Sequence, residues 1–142
     1  KSVDTTMGFS PQSGLDNAAR PGDLDAFAVL FMMERCGWSV AEVGEKLANG
    51  GGLAGLSGVA GGDVRDLEQA ASAGNQDAAM ALDVFTYGVR KTIGAYAAAM
   101  GGVDAIAFTG GIGENSAPLR AACCRGLEFL GIMLDRERNE QG

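Results

Sequence analysis

Between residues 76 and 100, apolar side chains fall at Leu82, Phe85, Val89, Ile93, Tyr96 and Met100. Steps of three and four put these on one stripe of a helix. At 1.5 Å rise per residue the helix is about 37 Å long. Asn75 precedes it as a cap and Gly101-Gly102 stop it. Gly88 and Gly94 inside it each cost about 1 kcal/mol against alanine.

Shorter helices are predicted upstream. Asp23 is a candidate N-cap for a helix over 24–36, stopped by Gly37. Phe27, Leu30, Phe31 and Met33 give it a broad apolar surface, which predicts burial. Ser39-Val40-Ala41-Glu42 is a capping box opening a helix to about residue 48, and Asn49-Gly50-Gly51-Gly52 ends it. Residues 53–62 mix glycine and serine with apolar residues and read as irregular, with one helical turn at most. Asp63 caps a helix over 64–73, ended by Gly74.

Period-two patterns are fewer. Residues 1–11 alternate loosely and predict one or two short strands broken near Met7–Gly8. Residues 12–22 form a polar loop. The apolar run 105–109 reads as a buried strand, 117–130 as a helix, 130–135 as another short strand, and 136–142 as a charged polar stretch. This is an α/β pattern with few strands and several packed helices. So little sheet material predicts part of a larger sheet, with pairing partners outside this chain.

The composition narrows the function. The 142 residues suffice for one domain with a core. The net charge of −7 argues against a nucleic-acid surface or a basic membrane patch. The apolar stretches fall short of the roughly 20 residues that span a bilayer. No signal peptide is visible, and the chain starts at Lys1. Cys36, Cys123 and Cys124 form no CxxC, so buried reduced thiols in a cytoplasmic protein are expected. The chain has no histidine, which removes a Ser-His triad and any histidine-ligated metal.

Four clusters are candidates for chemistry. After the 105–109 run come Gly110-Gly111-Ile112-Gly113-Glu114-Asn115 and Ser116. Amides free of Cβ atoms can approach a phosphate closely, and a following helix would aim a positive dipole at it. The plain alternative is a turn. Asp63-Val64-Arg65-Asp66 offers a carboxylate for ribose hydroxyls and a guanidinium for base or phosphates; alternatively Asp63 only caps its helix while Arg65 pairs with Asp66 or Glu68. Arg20 lies isolated in its loop, and arginine suits a planar phosphoryl group. Residues 4–9 form a polar strand end beside Gly8.

In this order the clusters closely resemble acetate kinase. The matching stretches are residues 1–11 (KSVDTTMGFSP), 20–25 (RPGDLD), 53–68 (LAGLSGVAGGDVRDLE), 93–100 (IGAYAAAM), 103–116 (VDAIAFTGGIGENS) and 126–135 (GLEFLGIMLD). Members of that family have two domains on related mixed sheets of the ribonuclease H-like (actin-like ATPase) type, with the active site in the cleft between them. They transfer the γ-phosphoryl of ATP reversibly to acetate, with magnesium, giving ADP and acetyl phosphate. The resemblance implies that residues 1–142 are an incomplete C-terminal nucleotide-binding domain, inactive without the remainder. By motif match Arg20 is the catalytic arginine; Asp63, Val64 and Arg65 meet adenosine; and Gly111, Ile112, Gly113, Glu114 and Asn115 form the nucleotide loop. Ala18, Ala19 and Pro21 depart from the family's usual residues around Arg20. The magnesium ligand and the acid pocket are expected outside these residues, so propionate and butyrate remain alternative substrates. A non-catalytic nucleotide-binding or regulatory module is a further alternative. The resemblance also implies a homodimer.

Overall fold

The computed structural model describes residues 1–141. They fall into two compact units: Thr5–Phe85, and Lys1–Asp4 together with the chain from Thr86 onward. The helix spanning residues 76–100 carries the chain from one to the other.

The Thr5–Phe85 unit contains α1 (Ala26–Cys36), α2 (Val40–Asn49), α3 (Gly52–Ser57), α4 (Val64–Ser72) and the first part of α5 (Gln76–Met100). Local signals set most boundaries. Ser39 and Glu42 form the predicted capping box: the Ser39 hydroxyl accepts from the Glu42 amide, and the Glu42 carboxylate accepts from the Ser39 amide. The Ser39 amide and then the Ser39 hydroxyl, both donating to Glu42 Oε2, hold the Glu42 carboxyl below its usual range. Asn75 Oδ1 accepts from the Ala78 amide at the start of α5. Gly37 closes α1 through Met33 O.

The N-cap of α1 is Asp25, not Asp23: its carboxylate accepts from the Phe27 amide at 2.8 Å. Asp23 is engaged across the loop. Its Oδ1 accepts from the Gly14 amide at 2.7 Å, and its own amide donates to Gly14 O. Residues 53–62 are not irregular but form α3 and a 3₁₀ turn over Ala60–Gly62. The core of this unit is Leu53, Val64, Leu67, Ala78, Ala81 and Phe85. α1 supplies none of it. Phe27 is 79% exposed and Phe31 62%, so the apolar surface expected to be buried faces outward. Over Trp38, in the turn that joins α1 to α2, Lys46 Nζ lies 4.6 Å from the ring centre.

The second unit contains the rest of α5, α6 (Gly110–Asn115), α7 (Ala117–Cys124) and α8 (Arg136–Gln141). Its core is Ala97, Leu119, Cys123, Cys124 and Leu127. Along α5 the predicted stripe is only partly buried: Phe85 is in the core, but Met100 is 53% exposed. The helix expected over 117–130 ends at Cys124, where Arg125 turns to extended backbone; a 3₁₀ turn follows at Glu128–Leu130. Arg90 Nη1 donates to Arg125 O at 3.0 Å and pins that end. Cys123 and Cys124 are buried as expected, whereas Cys36 is exposed. Burial, with the neighbouring Cys124 sulfur, pushes the Cys123 thiol up to about 11.

The strands expected at 1–11, 105–109 and 130–135 do not form; among the described residues there is no paired strand. Two of these segments nevertheless keep strand alternation. Ile106 and Phe108 are half-buried while Ala105, Ala107 and Thr109 are exposed; Leu130, Ile132 and Leu134 alternate likewise with Gly131, Met133 and Asp135. A strand is completed by hydrogen bonds to a neighbour, and these segments pair with none among the described residues.

Candidate functional site

The loop before α1 is built onto the first turn of α3. The amides of Gly51, Leu53 and Ala54 donate to the carbonyls of Ala19, Asn17 and Ala18 at 3.0, 3.0 and 2.8 Å. A helix start has amides with no intrahelical acceptor, and here they grip the loop. Such close contact of two backbones needs glycine. Gly52 has φ +59, and a Cβ there would collide with Asn17 O, Arg20 O and Arg20 N. A Cβ on Gly62 would strike Ala18 O. Gly51 packs on the Pro21 ring.

Arg20 is thus held by its backbone while its side chain is lightly engaged. Among the described residues its guanidinium makes one hydrogen bond, Nη1 to Pro11 O at 3.3 Å, and no ion pair. In the same loop Asp16 has Oδ2 buried without a partner, and burial raises its carboxyl. Nothing in the residue order marks Asp16.

Gly62 leads directly into α4, so the glycine clamp ties the Arg20 loop to the segment that starts at Asp63. Asp63 is the N-cap of α4: its Oδ1 accepts from the Arg65 amide at 2.9 Å. The Arg65 side chain folds back on the same carboxylate, Nε to Oδ1 at 3.1 Å and Nη2 to Oδ2 at 2.8 Å. Arg65 therefore pairs with Asp63 rather than with Asp66 or Glu68. The Arg65 side chain, then its amide, pull the Asp63 carboxyl down to about 2. That contact is complete above the ordinary carboxylate range and is lost only as pH falls through about 2. Oδ2 carries one bond, so it retains a lone pair for a further donor. Val64 is buried, which leaves only its backbone for a ligand.

Residues 110–115 lie in the second unit and form the short helix α6, not an open turn. Thr109 enters it in extended conformation. The Gly110 amide donates to Glu114 Oε1 at 3.1 Å, and Asn115 Nδ2 donates to Gly111 O at 2.8 Å. Ser116, buried, caps α7 through the Leu119 amide. The three glycines differ in what the fold demands of them. Gly110 has φ +72, a conformation that favours glycine. A Cβ on Gly113 would sit 3.1 Å from Phe108 C. Gly111 has neither need: its φ is not positive, and a Cβ there meets nothing within 4 Å. A cavity of about 620 Å³ in this unit is lined by Pro118, Ile132 and Leu134 among others, but by none of residues 110–115.

Comparison with known proteins shows the family. The acetokinase family profile matches residues 1–142. The chain belongs to the acetokinase family. It is 49% identical over 140 residues to the acetate kinase of Heliobacterium modesticaldum, covering 99% of this chain and 35% of that protein. It is 50% identical over 141 residues to the propionate kinase of Citrobacter rodentium, covering 99% and 35%. Its structure matches that of Porphyromonas gingivalis acetate kinase with a TM-score of 0.91 at 41% identity, covering 95% of this chain and 34% of that one. The chain thus spans about 35% of the length of its acetokinase relatives.

Two further observations bear on the acetokinase reading. No helix among the described residues is long and apolar enough to cross a membrane. No three His, Cys, Asp or Glu side chains among them converge to hold a metal. By themselves the described residues therefore offer no three-ligand cage for magnesium.

Proposed function

We propose that this chain is the larger part of the C-terminal, nucleotide-binding domain of a two-domain acetate kinase of the ribonuclease H-like, actin-like ATPase type. The complete enzyme is a cytoplasmic homodimer that uses ATP and magnesium. An acetate oxygen attacks the γ-phosphorus of ATP, the bond from that phosphorus to the β–γ bridging oxygen breaks, and ADP leaves with acetyl phosphate as product. The unpaired alternating segments at 105–109 and 130–135 support a sheet completed by other residues of the protein.

The residues divide the work. Arg20 faces the phosphoryl group in transfer and spreads its negative charge over two N–H edges. The amides of Gly111, Ile112 and Gly113, at the start of α6, take the phosphate tail. Glu114 and Asn115 shape that turn by holding Gly110 N–H and Gly111 O, which leaves the Glu114 carboxylate engaged beside the anion. Asp63 accepts from a ribose hydroxyl through Oδ2 while Arg65 lies along the base. Val64 contributes through its backbone.

Gly111 carries this reading. The fold explains Gly110 and Gly113, but it does not need a glycine at 111; a ligand pressed against the backbone does. In the complete kinase, Gly111→Ala should leave the fold intact or stabilise it by about 0.5–1 kcal/mol, as alanine does in helices. It should weaken ADP binding at least about tenfold, or 1.4 kcal/mol. Calorimetric titration with ADP beside thermal melting checks both signs; unchanged affinity removes the nucleotide loop from residues 111–115.

Propionate is the second reading for the acid, favoured by the match to a propionate kinase at 50% identity. The ratio of kcat/KM for acetate to that for propionate decides between them.

A further inference from the structure

α6 cannot hold its own shape. It has six residues, three of them glycine, and helices this short are unstable without tertiary support. Its last carbonyls have no intrahelical donor. Arg120, on α7 and only 9% exposed, supplies donors: Nη1 binds Gly113 O at 3.0 Å and Glu114 O at 2.8 Å.

The other edge of the same guanidinium is braced from α8. Nε donates to Asn139 Oδ1 at 2.8 Å, and Nη2 donates to Asn139 O. Asn139 Nδ2 in turn donates to Ala117 O at 2.9 Å, at the start of α7. Asn139 is the one described residue of α8 that is not exposed. One planar fork therefore joins α6, α7 and α8. Its four acceptors are all neutral, and among the described residues it has no ion-pair partner. The positive charge sits uncancelled at the carbonyl end of α6, where a cation is favourable.

We propose that Arg120 is a positioning residue, braced by Asn139, that fixes the pose of the glycine loop on the nucleotide. This rests on reading residues 111–115 as the nucleotide loop. Lysine keeps the charge but has a single nitrogen, which cannot reach acceptors on two helices at once.

The test is steady-state kinetics of the complete kinase carrying Arg120→Ala, Arg120→Lys or Asn139→Ala, with melting curves for each. Arg120→Ala should raise KM for ATP about tenfold or more while KM for acetate stays within about twofold. Arg120→Lys should remain impaired, and Asn139→Ala should shift KM for ATP in the same direction by a smaller factor. Should Arg120→Ala not fold, Asn139→Ala decides. If folded variants leave KM for ATP unchanged, or raise both KM values equally, the proposal fails. Gly111→Ala separates the two levels. Loss of ADP affinity there without an effect of the Arg120 and Asn139 variants sinks only the strut; unchanged ADP affinity in Gly111→Ala sinks the loop reading and the strut with it.

Discussion

Arg20→Ala in the complete kinase lowers kcat by about 10³-fold, or about 4 kcal/mol of barrier. The effect is large because a transferring phosphoryl group has little covalent help from the protein; charge neutralisation and position are what the protein supplies. Arg20 is the residue proposed for that work. The backbone just before it, residues 17–19, is fixed by the amides of Gly51, Leu53 and Ala54, its own carbonyl accepts from the Asn17 amide, and its guanidinium is committed to a single long bond with a neutral carbonyl. A side chain that braces a fold has its donors filled, as Arg120 does; Arg20 does not. The protein should therefore melt near the wild-type temperature, and KM for ATP should change far less than kcat. Arg20→Lys should recover only a small part of the rate, since the ammonium cannot grip two oxygens in one plane. Stopped-time assays of acetyl phosphate formation measure the rates. A kcat within threefold of wild type would remove Arg20 from the reaction.

Gly52→Ala has the largest expected effect on stability. The residue sits at φ +59, which costs an alanine about 1–2 kcal/mol. Its new methyl would also press on backbone atoms, Arg20 O at 2.6 Å and Arg20 N at 2.8 Å, which cannot swing aside like a side-chain tip. Relief requires the loop to leave α3, with loss of the bonds from Gly51, Leu53 and Ala54. The sum is about 3 kcal/mol or more, in the range reserved for backbone strain and broken buried networks. Because the displaced loop is the one carrying Arg20, kcat should fall together with the melting temperature. Gly58→Ala is the control: φ is similar, +69, but nothing lies within 4 Å of its Cβ, so only the conformational cost remains. Denaturant titration of the two variants separates collision from conformation. Equal losses would show that the clamp adds nothing.

Signals that act within a few residues were legible in the residue order. The Ser39–Glu42 box, the Asp63 cap, the stop at Gly37 and the whole of α5 were read from neighbours three or four positions apart, and hydrogen bonds of that range make them. The candidate site residues were legible as types in order. What each one touches was less so: Arg65 turns to Asp63, Val64 goes inward, and residues 110–115 wind into a helix. The misses share one cause. A strand at 105–109 is decided by a partner elsewhere, and the burial of α1 by whatever covers Phe27 and Phe31. The glycines of residues 51–62 read as looseness because their reason, the backbone of residues 17–20, lies more than thirty positions away. Arg120 and Asn139 are nineteen apart and carry no shared motif. The doublets Gly51-Gly52 and Gly61-Gly62 were the available hint that two backbones meet there.

The three cysteine thiols are unequally accessible, and that opens a spectroscopic route into the molecule. Cys36 stands in solvent at the end of α1, while Cys123 and Cys124 are enclosed, and the raised Cys123 thiol holds almost no thiolate at neutral pH. Within this stretch a maleimide dye should attach at Cys36 alone, without mutagenesis. A fluorophore there, beside the outward face of α1, would report by its polarity-dependent emission whatever comes to rest on Phe27 and Phe31.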